Sequence, residues 1–252
     1  MQQNFEQKNL SVEFNNFKIP KIGVIALSTD FTIEQDYNRI CHNLNVDIFF
    51  NRIPFSNPLN NKNYIAMKQY LKDVAYNILP KQEIEVVAYG CTSGTIIIGE
   101  DEIFKEIRKA KPNAYVTTPI TAAIKAYNKM KINKISILTP YPVNVNESIH
   151  RYLEKHNFEI VNFYSFNLES DFDIARVDKD FLYKTLLNIN NDESESIFIS
   201  CTALKALEII NYVEKDISKP VLSSNQAMIW DSLRSANINN SIIGYGKLLK
   251  DY

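Results

Sequence analysis

The sequence has no excess of either charge and contains few cysteines. Its 28 basic and 29 acidic side chains nearly cancel over 252 residues, so the chain lacks the charge surplus typical of proteins that bind nucleic acids or membrane surfaces. Its three cysteines stand far apart and do not form a disulfide framework. Residues 1–18 lack the apolar core of a signal peptide, and no apolar run is long enough to cross a bilayer. We therefore expect a cytoplasmic protein that binds a small molecule, with no nucleic acid or membrane as a partner.

The motifs of common cofactor and metal sites are absent as well. No glycine-rich phosphate-binding motif occurs, and the Gly-Tyr-Gly sequence at 244–246 lacks the third glycine of a dinucleotide site. His42, His150 and His156 do not have the spacing of zinc ligands, and there is no Cys-x-x-Cys pair. The sequence therefore predicts a protein that works without a cofactor or a metal ion.

Alternating strand and helix patterns predict an α/β fold. Short β-branched runs alternate with amphipathic stretches of helical length, which is typical of a parallel sheet covered by helices. The predicted strands are 21–27, 46–53, 84–89, 114–117, 134–138, 159–164, 196–200 and 220–222. The predicted helices are 32–42, 64–79, 101–110, 120–131, 145–155, 179–188, 204–213 and 226–235.

The sequence also repeats itself once. The run at 21–27 resembles that at 134–140, and the run at 114–119 resembles that at 219–224. A long unit that is present twice predicts two similar α/β lobes with a cleft between them. Ligands of such sheets bind outside the carboxyl ends of the strands.

Cys91 and Cys201 occupy corresponding places in this repeat. Each follows an apolar run and precedes a predicted helix start, in Gly-Cys-Thr-Ser-Gly-Thr at 90–95 and in Ser-Cys-Thr-Ala-Leu at 200–204. Backbone N–H groups and the helix dipole favour an anion there, so a thiol at that place loses its proton more easily. Two such thiols facing one substrate would act as base or nucleophile and as acid. The alternative is that both are small buried residues at the ends of core strands.

The residues after each cysteine offer hydroxyl groups to a ligand. Thr92, Ser93, Gly94 and Thr95 form a plausible carboxylate cradle, in which the glycine allows close approach to the backbone. Thr202 offers a similar environment after the second cysteine. The alternative for these hydroxyls is helix capping, and one residue can serve both purposes.

Together, these motifs resemble the aspartate/glutamate racemase superfamily. The resemblance rests on the two cysteine motifs, on Leu-Thr-Pro-Tyr at 138–141 and on Ser-Ser-Asn-Gln-Ala at 223–227 followed by Trp230. It is greatest to the branch of maleate cis–trans isomerases, arylmalonate decarboxylases and ectoine-utilisation EutA-type proteins, and it covers nearly the whole chain. It implies two Rossmann-like lobes related by a pseudo-twofold axis, with the active site between them and no cofactor or metal. We place the first lobe at 19–118 plus 225–252 and the second at 119–224.

The resemblance also implies roles for individual residues. In maleate isomerases the cysteine that Cys91 matches attacks the double bond and the one that Cys201 matches handles a proton, whereas in racemases the pair moves a proton at the α-carbon. Arylmalonate decarboxylases typically keep only the second cysteine, so the presence of both argues against decarboxylation. Tyr141 matches the family's substrate-binding tyrosine, although a tyrosine at a strand end also packs. Asn225 and Gln226 follow a predicted strand at the cleft and either bind the substrate or brace the site.

Two acidic residues depart from the maleate isomerase pattern. Asp30 replaces an asparagine that binds carboxylate in those enzymes, and Asp171 lies near a second asparagine position. A carboxylate at these places repels a dicarboxylate and attracts an ammonium group. We therefore expect a substrate that carries an amine, or another cationic nitrogen, beside its carboxylate. The alternative is that Asp30 caps the helix at Thr32 and points away from the ligand.

These observations predict a cofactor-independent isomerase or racemase of a small carboxylate, similar to maleate isomerase or to EutA, with an amino-acid-type substrate. Two alternatives stay open. One is a maleate cis–trans isomerase that produces fumarate, and the other is a two-lobed protein that binds a small carboxylate without transforming it. The sequence also leaves open which thiol starts as the thiolate and whether the protein forms a homo-oligomer.

Overall fold

Two parallel sheets of four strands each form the framework of residues 7–14 and 18–252, the part of the chain that this computed structural model describes. The strands are β1 (Lys21–Leu27), β2 (Asp47–Ile53), β3 (Val86–Tyr89), β4 (Tyr115–Thr117), β5 (Lys134–Thr139), β6 (Glu159–Ser165), β7 (Ser196–Ile199) and β8 (Val221–Ser223). Their spatial orders are β2-β1-β3-β4 and β6-β5-β7-β8. The second sheet repeats the first strand for strand, which confirms the predicted α/β fold with two parallel sheets.

Helices connect the strands and cover the sheets. They are α1 (Ile33–Cys41), α2 (Asn61–Ala66), α3 (Leu71–Tyr76), α4 (Thr92–Ile98), α5 (Glu100–Arg108), α6 (Pro119–Met130), α7 (Val143–Lys155), α8 (Asp171–Ile174), α9 (Lys179–Asn188), α10 (Leu207–Ile217), α11 (Ser224–Ser235) and α12 (Lys247–Asp251). Within the described ranges, no helix combines the length and the apolar character that a membrane span requires.

The predicted helices differ from the observed ones at 64–79 and after each cysteine, and they do not include α8 and α12. The single helix predicted at 64–79 is divided into α2, a 3-10 turn at Met67–Tyr70 and α3. Helix α4 begins directly after Cys91, which confirms the predicted helix start there, although the predicted helix ranges omit it because seven residues are too few for a clear helical pattern. The helix predicted from 204 begins at Leu207, so that residues 202–206 after Cys201 are irregular.

Strands β3 and β7 lie inside their sheets and are buried along their whole length. A strand that is covered by helices on both faces has no solvent side, which explains its continuous apolar sequence. Tyr89 ends β3 and Ile199 ends β7. A cysteine therefore lies two residues after the end of each strand.

The helix that follows the last strand of each sheet packs against the other half. From α6, the Tyr127 hydroxyl lies 3.1 Å from the Ser196 hydroxyl of β7. From α11, Asp231 accepts a hydrogen bond of 2.6 Å from Thr117 of β4, and Ser232 lies 2.9 Å from the Tyr37 hydroxyl of α1. The division into lobes at 118/119 and 224/225 stays a prediction, and these contacts agree with it.

Candidate active site

Cys91 and Cys201 occupy equivalent positions at the carboxyl ends of β3 and β7. The backbone N–H before Cys91 donates to Ile25 of β1 at 2.8 Å, and the one before Cys201 donates to Leu138 of β5 at 2.9 Å. Both side chains are buried, with exposed fractions of 4% and 3%. The sheets therefore hold two thiols at matching strand ends, as the repeat in the sequence predicts.

Cys91 is the N-cap residue of α4 and is held by that helix. Its Sγ accepts a hydrogen bond from the backbone N–H of Gly94 at 3.2 Å. The Thr95 hydroxyl donates to the Cys91 carbonyl at 2.6 Å. A β-carbon on Gly94 would lie 2.8 Å from Cys91 Sγ and 2.8 Å from the Tyr89 hydroxyl, closer than carbon approaches either atom. Glycine is required at 94 because only a residue without a β-carbon leaves room for the thiol.

Cys201 is followed by irregular chain instead of a helix. Its Sγ accepts from the backbone N–H of Ala203 at 3.3 Å. The carbonyls of the next two residues accept hydrogen bonds from side chains of α11 and α1. The Asn225 amide donates to Thr202 O at 2.8 Å, and the Thr32 hydroxyl donates to Ala203 O at 2.9 Å. The predicted helix start at this thiol is therefore wrong, and side chains from α1 and α11 fix the segment.

The two thiols are harder to deprotonate than a free cysteine. Burial raises the pKa of Cys91 to about 12, although the hydrogen bond from Gly94 acts in the opposite direction, and the Asp171 carboxylate adds to the rise. Burial also raises the pKa of Cys201, again with a contribution from Asp171. The predicted lowering of the thiol pKa is therefore wrong, because loss of hydration outweighs one N–H group.

Two tyrosines lie against the thiols. Tyr141 hydrogen-bonds with Cys201, and burial together with the neighbouring thiolates raises its own pKa. Tyr64 was not singled out by the sequence; it is 1% exposed, stacks on Phe55 with ring centres 5.2 Å apart, and its pKa is raised by burial and then by Cys91. No local motif marks Tyr64, since α2 brings it from a distant part of the first half.

Asp30 and Asp171 are both buried beside the thiols. Asp30 Oδ1 accepts from the backbone N–H groups of Thr32 at 2.7 Å and Ile33 at 2.8 Å, so one of its oxygens caps α1, as the alternative interpretation holds. Asp171, at the start of α8, accepts a hydrogen bond from the Thr29 hydroxyl. Burial raises the pKa of Asp171 to about 6, and Asp30 contributes to the rise. These carboxylates make the site anionic.

The other predicted residues divide between lining and bracing. The Ser93 hydroxyl lies 3.9 Å from Cys91 Sγ, whereas the Thr92 hydroxyl pairs with Ser224 at 2.9 Å. Thr202 donates to the Gly90 carbonyl at 3.5 Å. The Gln226 amide donates to Tyr245 O at 2.6 Å and its oxygen accepts from the Ser223 N–H, so this side chain braces the start of α11. The described ranges contain no group of three or more His, Cys, Asp and Glu side chains that could hold a metal ion.

Two loops from opposite halves meet next to Asp171. The backbone N–H of Leu59 donates to Glu169 O at 3.0 Å, and that of Asp171 donates to the Asn57 side chain at 3.3 Å. Phe31 and Phe172 meet edge to face, with ring centres 5.9 Å apart. Asp171, which raises the pKa of both thiols, is therefore held where the two halves meet.

Comparisons with known proteins place this geometry among enzymes of one family. The model of the arylmalonate decarboxylase family matches residues 58–249. A maleate isomerase of Nocardia farcinica is 21% identical over 174 residues, which are 66% of this chain and 69% of that protein. An arylmalonate decarboxylase of Bordetella bronchiseptica is 28% identical over 138 residues, 54% of this chain and 58% of that protein.

Solved structures show the same fold. The maleate isomerase Iso of Pseudomonas putida superposes with a TM-score of 0.86 at 19% identity, over 93% of this chain and 99% of that chain. A cysteine-to-serine variant of the Nocardia farcinica maleate cis–trans isomerase, with a covalently bound succinylcysteine intermediate, superposes with a TM-score of 0.84 at 18% identity, over 93% of this chain and 100% of that chain.

Proposed function

This chain belongs to the arylmalonate decarboxylase family, and from that premise we propose that it is a cofactor-independent isomerase or racemase of a small carboxylate, with Cys91 and Cys201 as its reacting pair. The observation that carries the proposal is the placement of two buried thiols at equivalent strand ends, beside the same two tyrosines and two carboxylates. A protein that only binds a carboxylate has no need of a thiol in each half.

The pair accounts for a proton transfer at the carbon next to a carboxylate. One thiolate removes the α-proton, and the electron pair moves onto the carboxylate as an enediolate. The other thiol then gives a proton to the opposite face of that carbon and becomes the thiolate. The N-terminus of α4, with Ser93 beside the thiol, stabilises the negative charge that gathers on the carboxylate. Each turnover exchanges the protonation states of the two thiols, which works in both directions.

We infer that the substrate also carries a cationic nitrogen. Asp171 and Asp30 raise the pKa of both thiols, and a dicarboxylate would raise it further. A bound ammonium group has the opposite effect, because positive charge stabilises the thiolate. The substrate would thus bring the charge that the reaction needs. Asp171 is the better candidate for the ammonium contact, because it accepts a hydrogen bond from Thr29, whereas Asp30 accepts from two backbone N–H groups and from Thr202.

A maleate cis–trans isomerase is the second candidate function. Its support is the similarity to maleate isomerases, together with the succinylcysteine intermediate in the Nocardia farcinica structure. In such a reaction a thiolate adds to one carbon of the double bond, the bond between the carbons rotates, and the thiolate leaves again. The two candidates use the same two cysteines and differ in the charge of the substrate.

Proton NMR in deuterium oxide distinguishes the candidates. The protein is incubated with maleate in one sample and with single enantiomers of amino acids, including aspartate and 2,4-diaminobutyrate derivatives, in others. Loss of an α-proton signal supports the proposal and identifies the substrate. Conversion of maleate to fumarate instead establishes the second candidate and contradicts the inferred ammonium contact. No turnover of either class, with binding still detected, favours the carboxylate-binding alternative.

The charge argument has its own test at Asp171. Asp171→Asn keeps an oxygen that accepts from Thr29 and removes the negative charge. We expect KM for an amino-acid substrate to rise by about tenfold or more, because a buried charged hydrogen bond is lost. Asp173→Asn is the matched control, since Asp173 lies on the same helix with 52% of its side chain exposed. An unchanged KM in Asp171→Asn refutes the assignment; Asp30→Asn then asks whether the other carboxylate makes the contact.

A further inference from the structure

The segment that follows Cys201 depends on the first half of the molecule for its position. Residues 202–206 form neither a helix nor a strand, and α10 begins only at Leu207. The carbonyl of Thr202 accepts from the Asn225 side chain, and that of Ala203 accepts from the Thr32 side chain. These bonds hold the chain on the carboxyl side of Cys201, which is the side on which α4 holds Cys91.

The Asn225 amide has a defined orientation. Its Nδ2 donates both to Thr202 O and to Asp36 Oδ2, each at 2.8 Å. Its Oδ1 is buried without a hydrogen-bond partner among the described residues. If the amide were reversed, its oxygen would face a carbonyl oxygen and a carboxylate oxygen, which are both acceptors. Asp36 and Thr202 O together therefore decide which end of the amide faces Cys201's segment.

Asp36 occupies a place where an apolar side chain is otherwise expected. The face of α1 that packs inward is Ile33, Asp36, Tyr37, Ile40 and Cys41, at the spacing of one helix face. Asp36 is 1% exposed, and burial raises its pKa to about 7, while the hydrogen bond from Asn225 favours the carboxylate. A buried carboxylate costs stability unless it makes hydrogen bonds. The hydrogen bond from Asn225 explains why an acid occupies this buried position, whereas packing does not.

We propose that Asp36 is a positioning residue for the second thiol: its carboxylate holds the Asn225 amide against Thr202 O and thereby fixes the segment that carries Cys201. The other charged groups near Asp36 are Arg39, whose guanidinium lies 3.5 Å away, Glu208 and Asp30. Arg39 is 40% exposed and also pairs with Glu208 at 3.0 Å, so it does not replace Asn225 as the partner. The catalytic role of Cys201 rests on the proposed function, whereas the positioning of its segment by Asp36 does not.

The proposal is tested by the reactivity of each thiol. The full chain, without substrate, is treated with iodoacetamide, and the alkylation of every cysteine is followed by mass spectrometry of its peptide. Asp36→Ala and Asn225→Ala should each speed the alkylation of Cys201 about fivefold, the change expected when one hydrogen bond that opposes local opening is lost. The rate at Cys91 should stay unchanged, because α4 holds that thiol. The double variant should react no faster than either single one.

Two further variants separate positioning from loss of stability. Asp36→Asn keeps an acceptor for the Asn225 amide and should restore the rate at Cys201 to within about twofold of that of the unaltered protein. Asp231→Ala is the matched control, since Asp231 is an equally buried aspartate that bonds to Thr117 and Lys125 instead of Asn225. It should leave the ratio of the two thiol rates unchanged. Cys41, on α1 itself, reports whether that whole helix has loosened.

The outcomes decide the proposal without reference to turnover. A faster reaction at Cys201 alone supports it. An equal rise at all three cysteines, or no change at Cys201, overturns it, because the carboxylate then acts through general stability or not at all. Asn225→Ala gives the same answer if Asp36→Ala fails to fold. A lack of turnover in deuterium oxide would reject the proposed function and leave this result standing.

Discussion

Cys91 and Cys201 follow strands at equivalent positions in the two sheets, but the chain beyond them differs. Helix α4 begins directly after Cys91 and gives this thiol a hydrogen bond from its own turn. After Cys201 the chain is irregular, and side chains from α1 and α11 hold it. The first thiol is thus positioned by local structure and the second by contacts between the halves. Equivalent topology fixes where each thiol lies, and the contacts of the chain that follows it fix how it is held.

The largest expected effect comes from removing either thiol. Cys91→Ser and Cys201→Ser should each lower turnover by about 1000-fold or more, because a hydroxyl replaces the acid or base that each thiol provides. The measurement is the deuterium oxide NMR assay. Cys41→Ser, at a buried cysteine of α1, is the control and should keep its activity. Full activity in either of the first two variants refutes the two-thiol mechanism, and the comparison of Cys91 with Cys201 then has no bearing on function.

A side chain at Gly94 should affect the Cys91 thiol more than a side chain at Gly23 does, because only Gly94 lies against that thiol. Gly94→Ala places a carbon 2.8 Å from Cys91 Sγ, so we expect a loss of about 1 to 3 kcal/mol of unfolding free energy and at least a tenfold loss of turnover. Gly23→Ala, whose new carbon would lie 3.2 Å from the Ile78 side chain, should destabilise the protein without changing the thiol. Denaturant unfolding and alkylation of Cys91 measure the two effects. An unaltered Cys91 rate in Gly94→Ala would show that the thiol accommodates the methyl group.

Asp171 should make stability depend on pH. Its pKa is about 6 in the folded chain and about 3.9 when unfolded. The folded state therefore binds more protons between these values, so its stability falls as pH rises from about 4 to about 7. Asp171→Asn lacks this pH-dependent loss of stability. As the pH rises from about 4 to about 7, its unfolding free energy should therefore increase by about 2 to 3 kcal/mol relative to that of the unaltered protein. Asp173→Asn should show no such gain in urea unfolding at several pH values.

The smallest expected effect comes from removing one hydrogen bond next to each thiol. Thr95→Val removes the bond to the Cys91 carbonyl, and Thr32→Val removes the bond to the Ala203 carbonyl. Each should cost about 1 kcal/mol of unfolding free energy. The alkylation rates should separate them: Thr32→Val should speed the reaction at Cys201, and Thr95→Val should not. If both variants affect both thiols equally, the contrast between local and cross-half positioning is wrong.

The sequence predicts the sheets and the thiols because those signals are local. Apolar runs identify β3 and β7, and the small residues around Cys91 and Cys201 mark the strand ends. What it misses is brought together from far apart. Thr29 and Asp171 are 142 residues apart, and Asp36 and Asn225 are 189 apart. The direction of the thiol pKa shifts also fails, since burial is a property of the assembled halves and not of any motif.

Helices α6 and α11 each pack against the opposite half, and this has a consequence for a chain of half this length. A single half would leave the helix after its last strand without the sheet against which that helix packs, and it would lack the side chain from the other half that holds the segment after its cysteine, as Thr32 does here. Such a chain could rebuild the site only by pairing with a second copy of itself. Identical copies would then hold both thiols in the same way. Joining the two halves in one polypeptide removes that requirement, and the different surroundings of Cys91 and Cys201 exist because the symmetry of a dimer is no longer imposed on them.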